Sequence, residues 1–311
     1  MDNSKRKRWT LVAVLGTIIV LIVCIVSVVH VARRKLHTPR YHYELSEELG
    51  IAFTNADFVI EQIRKSLQAH DEKILIDYAA DGDHMGDIGE LVRELMDCAL
   101  SETESPSQGD YMKYQLGGYE LEYGYEEQNG VYRYQLVITP SYYTTLQQEA
   151  KVDELVEQIL RDMNFDKTAS DAEKVRRIND YVCATVKYDM VHRNKDLYHL
   201  KSTAYAALVN KRAVCQGYSV LMYRLLREAG VNTRVVTGTL QDNDTDEYHA
   251  WNLVEIDGVW YNLDVTWDVM LETEDYYLKT DGNMTDHIRD GEFASEEFYE
   301  QYPMAQEDYR E

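Results

Sequence analysis

The stretch Tyr248-His-Ala-Trp-Asn-Leu-Val-Glu-Ile-Asp-Gly-Val-Trp-Tyr-Asn-Leu-Asp264 decides how this chain folds. Asp257-Gly258 is a favoured two-residue hairpin turn, and apolar and polar residues alternate on both sides of it. Strands are expected over Tyr248–Ile256 and Val259–Thr266. Pairing Ile256 with Val259 sets the register, so opposed residue numbers sum to 515. One face then holds Ile256/Val259, Val254/Tyr261, Asn252/Leu263 and Ala250/Val265, which is mostly apolar and is the core side. The other holds Glu255/Trp260, Leu253/Asn262, Trp251/Asp264 and His249/Thr266. His249 and Asp264 fall on one face as diagonal neighbours, within side-chain reach.

Upstream, an acidic loop, Gln241–Glu247, is expected between this hairpin and an alternating strand over Thr233–Leu240. Before that strand, Ala213-Val-Cys-Gln-Gly-Tyr-Ser219 opens a helical pattern (Val220, Leu221, Leu225, Leu226) that stops at Gly230. Cys215 is thereby placed at a helix start, where unpaired amides and the macrodipole favour a thiolate. A cysteine alone is a weak signal, because free cysteine is also a common buried hydrophobe. A thiol at a helix start, a histidine and an orienting carboxylate together make an acyl-transfer constellation. In that reading Cys215 is the nucleophile, His249 the general base and Asp264 the group that orients the ring. Backbone amides around Cys215 are candidates for the oxyanion hole. Gln216 and Trp251 are candidates for lining the site, with helix-start capping and plain packing as their alternatives.

Three segments carry a resemblance. Ala213–Ser219, Tyr248–Asn252 and Asp257–Trp267 look like the core motifs of the transglutaminase-like superfamily, closest to bacterial membrane-anchored or secreted members. Asp180–Asp189 and Ser202–Leu208 look like that family's lead-in helices. The resemblance covers about residues 165–270 and implies an α+β, papain-like transglutaminase core, with the cysteine helix packed on an antiparallel sheet. It implies the same triad of Cys215, His249 and Asp264. It departs at Asn210-Lys211-Arg212, where relatives often carry a glycine. It leaves the reaction open between crosslinking, deamidation and peptide hydrolysis, with a protein or peptide as substrate. A non-catalytic interaction module on the same fold is the alternative function.

The first forty residues are a different object. Lys5-Arg6-Lys7-Arg8 precedes an uncharged run from Trp9 to Ala32, closed by Arg33-Arg34-Lys35. Twenty-four helical residues at ~1.5 Å each reach ~36 Å, enough to span a ~30 Å hydrocarbon layer. The run has no polar stripe and His30-Val31-Ala32 is a poor cleavage site, so a single-pass cell-membrane anchor over 9–32 is expected. The flanking charges tie, and the short head favours an extracytoplasmic soluble part. The expected organisation is a basic head at 1–8, the anchor at 9–32, a juxtamembrane linker at 33–44 and a helical and β-hairpin region at 45–164. The transglutaminase-like domain follows at 165–280, then an acidic tail at 281–311.

Between Leu45 and Leu100 the pattern reads as helical, with Phe58, Ile60, Ile63 and Leu67 as one stripe and Ile88, Leu91, Val92, Leu95 and Met96 as another. Asp81–Asp87 begins like a calcium loop but fails at Met85 and Val92, so a solvated turn is expected. Alternation around Gln128-Asn129-Gly130 predicts a tyrosine-rich hairpin. Helices follow over Val152–Leu160 and Val175–Val186, the second capped by Ser170 or Asp171.

The chain has 311 residues and a net charge of −23. Eight basic and one acidic residue in 1–40 make that segment +7, so 41–311 carry −30. Such a surface repels a phosphate backbone, so no nucleic-acid partner is expected, and basic or amine-bearing substrates are favoured. Four cysteines exclude a disulfide-dense scaffold, and without a CxxC pair no structural zinc is expected. No cofactor is expected either. Sequence places no contact between Cys98 and Cys183 and leaves the oligomeric state open.

Overall fold

The computed structural model describes residues 56–310 apart from Lys167 and 243–244, together with the backbone at 40–46 and 52–53. The expected anchor at 9–32, the basic head and the start of the linker lie outside the described residues. No described helix is long and apolar enough to cross a membrane.

Two compact units are present. The smaller holds the body of a five-stranded sheet, whose strands are β1 (Arg40–Ser46), β2 (Ala52–Phe53), β3 (Ile74–Asp81), β4 (Leu116–Gln128) and β5 (Val131–Tyr142), in the order β2-β1-β3-β5-β4. The tyrosine-rich hairpin forms as expected, with Asn129 at φ 56° and Gly130 at φ 82° turning β4 into β5. The helical reading of 45–100 fails at β3. Ile74, Ile76, Tyr78 and Ala80 are all buried, a period of two that the flanking helical stripes mask.

Those stripes belong to the larger unit, as α1 (Ala56–Gln68) and α2 (Ile88–Ala99), followed by a single turn, α3 (Asp110–Lys113). Helix α4 (Leu146–Met163) begins with a full capping box, Thr145 and Gln148 bonding each other's backbone amides. Helix α5 (Asp171–Thr185) is capped by Ser170, whose side chain accepts from the Glu173 amide. Two short parallel strands, β6 (Lys187–Tyr188) and β7 (Arg212–Ala213), lead into α6 (Cys215–Glu228). Gly230 follows at φ 79°, as a helix stop requires.

Helix α6 is the centre of the fold. Its residues from Gly217 to Leu226 are all buried, because α4 and α5 pack on one side and a sheet on the other. That sheet is antiparallel, in the order β10-β9-β8-β11: β8 (Thr233–Asp242), β9 (Thr245–Ile256), β10 (Val259–Leu263) and β11 (His287–Arg289). The register is the one expected, from Val259↔Ile256 to Leu263↔Asn252. Asp257 at φ 54° and Gly258 at φ 83° make the turn. The loop expected over 241–247 is shorter, since β8 and β9 stay paired out to Asp242↔Thr245.

Two further differences matter for function. Strand β10 stops at Leu263 instead of running to Thr266, so the Ala250/Val265 and His249/Thr266 pairs do not form. Asp264 caps a new helix, α7 (Val265–Leu271), accepting from the amides of Thr266 and Trp267. Residues 281–311 are also not a loose acidic tail. They supply β11 and helix α8 (Glu296–Gln301). Met284, Phe293, Phe298 and Tyr302 cover Val236, Trp251, Leu253 and Trp260 on the sheet face away from α6. Leaving Trp251 and Trp260 in water would forgo about 4–6 kcal/mol each, which outweighs the solubility of the acidic residues between the anchors.

Candidate active site

Cys215 is the first residue of α6, buried at 7% exposure. The amides of the first helical turn have no acceptor within the helix, so this end of α6 favours an anion. Two buried polar contacts set the distance from this turn to β9. Ser219 Oγ donates to one of two carbonyl oxygens within reach, Cys215 O at 3.0 Å and Ala250 O at 2.8 Å. Asn252 Nδ2 donates to Ser219 O at 3.0 Å and Arg234 O at 3.2 Å. Asn252 sits on the otherwise apolar helix-facing side of β9, where an unpaired amide would be costly; its contacts explain its place there.

His249, on β9, is buried, and its Nε2 lies 2.6 Å from Asp264 Oδ2. The Cys215 thiol is close enough to the same imidazole to help hold it charged, and with Nε2 taken by Asp264, Nδ1 is the ring nitrogen left to face it. Asp264 Oδ1 accepts from the amides of Thr266 at 2.9 Å and Trp267 at 3.3 Å, which holds that end of the carboxylate. The sequence thus predicted the right partnership by a different geometry. Asp264 reaches His249 from the first turn of a helix, not as a diagonal pair within two extended strands.

The electrostatics follow from burial and pairing. Burial alone opposes a charged His249, but the adjacent Asp264 carboxylate and the bond to Cys215 outweigh it, raising the imidazole from 6.5 to about 10. Burial likewise opposes a charged Asp264, yet His249 and His287 hold it well below the usual carboxylate range. Asp268, one turn along α7, goes the other way. Its burial, with the Asp264 charge nearby, pushes it up to about 7.

The two lining candidates differ in their contacts. Gln216 Nε2 donates to Tyr114 O at 2.6 Å, and its Oε1 lies 3.4 Å from the Tyr248 hydroxyl. Trp251 stacks on His249, with ring centroids 6.0 Å apart, and donates its indole N–H to Asn262 Oδ1 at 3.0 Å. It walls the imidazole from water, together with Trp267 at 6.3 Å. Cys98 and Cys183 are both free thiols.

One residue near the reacting groups escaped the sequence reading. His287 Nε2 lies 3.0 Å from Asp264 Oδ2, on the same oxygen as His249. A three-residue strand is too short for its periodicity to show, and the acidic surroundings read as solvent-facing. His249, Asp264 and His287 each offer one ligand atom within a shared 4.8 Å, the geometry of a candidate metal trio. The contacts of 2.6 and 3.0 Å are nevertheless hydrogen-bond lengths. Two ligands on one tetrahedral zinc sit about 3.3 Å apart.

Residues 157–265 match the family model of the transglutaminase-like superfamily. The chain carries a transglutaminase-like domain. Over an alignment of 125 residues the chain is 33% identical to the kyphoscoliosis peptidase of Homo sapiens, and the Mus musculus protein matches to the same extent. The match takes in 37% of this chain and 18% of either relative, so the chain spans less than a fifth of their length. Among solved structures, a TGase aligns over 63% of this chain and 51% of its own, at 21% identity and a TM-score of 0.35. A putative cysteine protease from Cytophaga hutchinsonii aligns over 56% of this chain and 69% of its own, at 15% identity and a TM-score of 0.33. The transglutaminase-like domain is α+β, with its antiparallel sheet packed against the helix that begins at Cys215.

Proposed function

We propose that this protein is a thiol-dependent acyl-transfer enzyme acting on amides of proteins or peptides, with Cys215, His249 and Asp264 as its catalytic triad. The reading is carried by a buried imidazole 2.6 Å from a buried carboxylate, with a thiol at a helix start close enough to help hold the ring charged.

Cys215 Sγ, its proton already held by His249, attacks the amide carbonyl carbon. The carbonyl oxygen gains negative charge and is stabilised by the free amides of the first turn of α6. His249 then gives its proton to the leaving nitrogen, the C–N bond breaks, and a thioester remains on Cys215. An incoming amine or water loses its proton to His249 as it attacks the thioester carbon. Collapse releases the product, and the proton stays on His249 beside the sulfur. Asp264 keeps its charge throughout and holds the tautomer. The name of the curated relatives speaks for peptidase chemistry in those proteins. The −30 charge of residues 41–311 favours basic or amine-bearing partners. The apolar run over 9–32 would tether the enzyme to the cell membrane, with the domain on the extracytoplasmic side.

The test uses the full chain in detergent with a labelled primary amine and a mixture of proteins. Amine incorporation that vanishes in Cys215→Ser supports crosslinking chemistry, and new chain termini without incorporation support hydrolysis. Neither product, with Cys98, Cys183 and Cys215 alkylated at equal rates, would overturn the proposal.

A further inference from the structure

Asp264 receives four donors. Its Oδ1 takes the two amides of α7, and its Oδ2 takes His249 Nε2 and His287 Nε2. A carboxylate has about four lone-pair sites, so this one is saturated. Behind it, His287 Nδ1 lies 2.9 Å from Asp286 Oδ1, and the Tyr276 hydroxyl donates to Asp286 Oδ2 at 3.0 Å. Burial opposes the charge of Asp286, but its bond to His287 wins and keeps that carboxyl ionised. Both ring nitrogens of His287 thus face carboxylate oxygens at hydrogen-bond distance, Asp264 on one side and Asp286 on the other.

The result is a row in which acidic and basic groups alternate: Asp286, His287, Asp264, His249 and the Cys215 thiol. The His287 side chain is 1% exposed, so water screens little of it. Its strand is pinned as well. Arg289, two residues on, donates to Asn262 Oδ1 at 3.0 Å and Asp281 Oδ1 at 2.6 Å, and Asn262 Oδ1 also takes the Trp251 indole. The same face of β10 that orients the wall of the site thus fixes the strand carrying His287.

We propose that His287 is a positioning residue for the triad: it donates to both Asp264 and Asp286, saturates Asp264 so that the carboxylate cannot turn away from His249, and through the positive charge this double donation requires weakens the hold of Asp264 on the His249 proton. This rests on the acyl-transfer reading, in which that proton has to reach the leaving nitrogen. An unopposed buried carboxylate at 2.6 Å would hold it too well, and the protonated ring would be a poor acid. The groups facing His249 and Asp264 are Cys215 and Tyr188 on the helix side, Asp268 on α7, and His287 with Asp286 from the C-terminal segment.

The experiment follows His249 itself, by NMR titration of the full chain with isotope-labelled histidine. His287→Gln keeps a neutral donor for Asp264 and removes the charge. The pH at which His249 loses its proton should then rise by about one unit, and Asp286→Asn should move it the same way by less. His287→Phe removes the donor too, and should lower kcat at least tenfold with KM little changed. A His249 titration unmoved in His287→Gln, which retains the size and polarity needed to fold, overturns the proposal. Stoichiometric binding of added zinc that depends on His287 also overturns it, by making the trio a metal site. Because the NMR titration needs no substrate, the proposal can fail or stand whether or not amine incorporation is found.

Discussion

Replacing Asp264 with Asn tests the centre of the site while leaving its shape almost untouched. The Asn carbonyl oxygen can still accept from Thr266 and Trp267, so the cap of α7 survives. Its NH2 group then faces two imidazole N–H groups at what had been 2.6 and 3.0 Å, donor against donor. His249 loses the charge that outweighs its burial. Falling from about 10 all the way to the ordinary 6.5 would release about 5 kcal/mol. Cys215 supplies part of the rise and is unchanged, so a fall of about 2 units is expected, about 3 kcal/mol. His249 then gives up its proton above about pH 8 instead of about 10, so the thiolate keeps its imidazolium partner at pH 6 and loses it by pH 9. Selective alkylation of Cys215 at pH 9, followed by mass spectrometry, should drop about tenfold. Two buried donors without acceptors should destabilise the fold by about 1–3 kcal/mol each. The sign with pH is fixed by the depressed Asp264. Its contribution is present above about pH 4, the unfolded value, and is lost as pH falls through its lower folded value. The gap in stability between the variant and the parent should therefore narrow toward pH 3. Alkylation within threefold of the parent from pH 5 to 9 would refute the triad.

Three further outcomes are expected. A Cβ on Gly238 would lie 2.0 Å from Ile288 O, so Gly238→Ala forces β11 off β8. It should cost on the order of 2 kcal/mol in thermal unfolding, and an unchanged Tm would mean the strand is not seated there. Burial, and then the nearby Asp264 charge, push Asp268 up to about 7, so its stability contribution is complete below about pH 4 and is lost as pH rises through about 7. Asp268→Asn should then gain in Tm over the parent at pH 8 compared with pH 5, and equal differences at both would refute this. Burial, with Asp268 next, pushes the Cys183 thiol up to about 12, so it should alkylate slowest of the three described cysteines at pH 8, while exposed Cys98 labels readily.

Much of this protein is local and therefore legible in the chain. The Asp257-Gly258 turn needs positive φ at both residues, which pins the β9–β10 register and the partition of its two faces without any knowledge of neighbours. The caps at Thr145 and Ser170, the stop at Gly230 and the position of Cys215 at a helix start are likewise written within a few residues. So is the pairing of a histidine with a carboxylate fifteen residues later. Tertiary structure decided what depends on distant partners. It ended β10 at Leu263 and turned Asp264 into a helix cap, because side-chain capping competes with strand pairing only once α7 has somewhere to pack. It covered Trp251 and Trp260 with the C-terminal segment, since an apolar sheet face does not announce which remote residues will bury it. It set His287 against Asp264 for the same reason. A three-residue strand carries no period of its own, and its place is determined by Gly238, Asn262 and Asp286 acting from other parts of the fold.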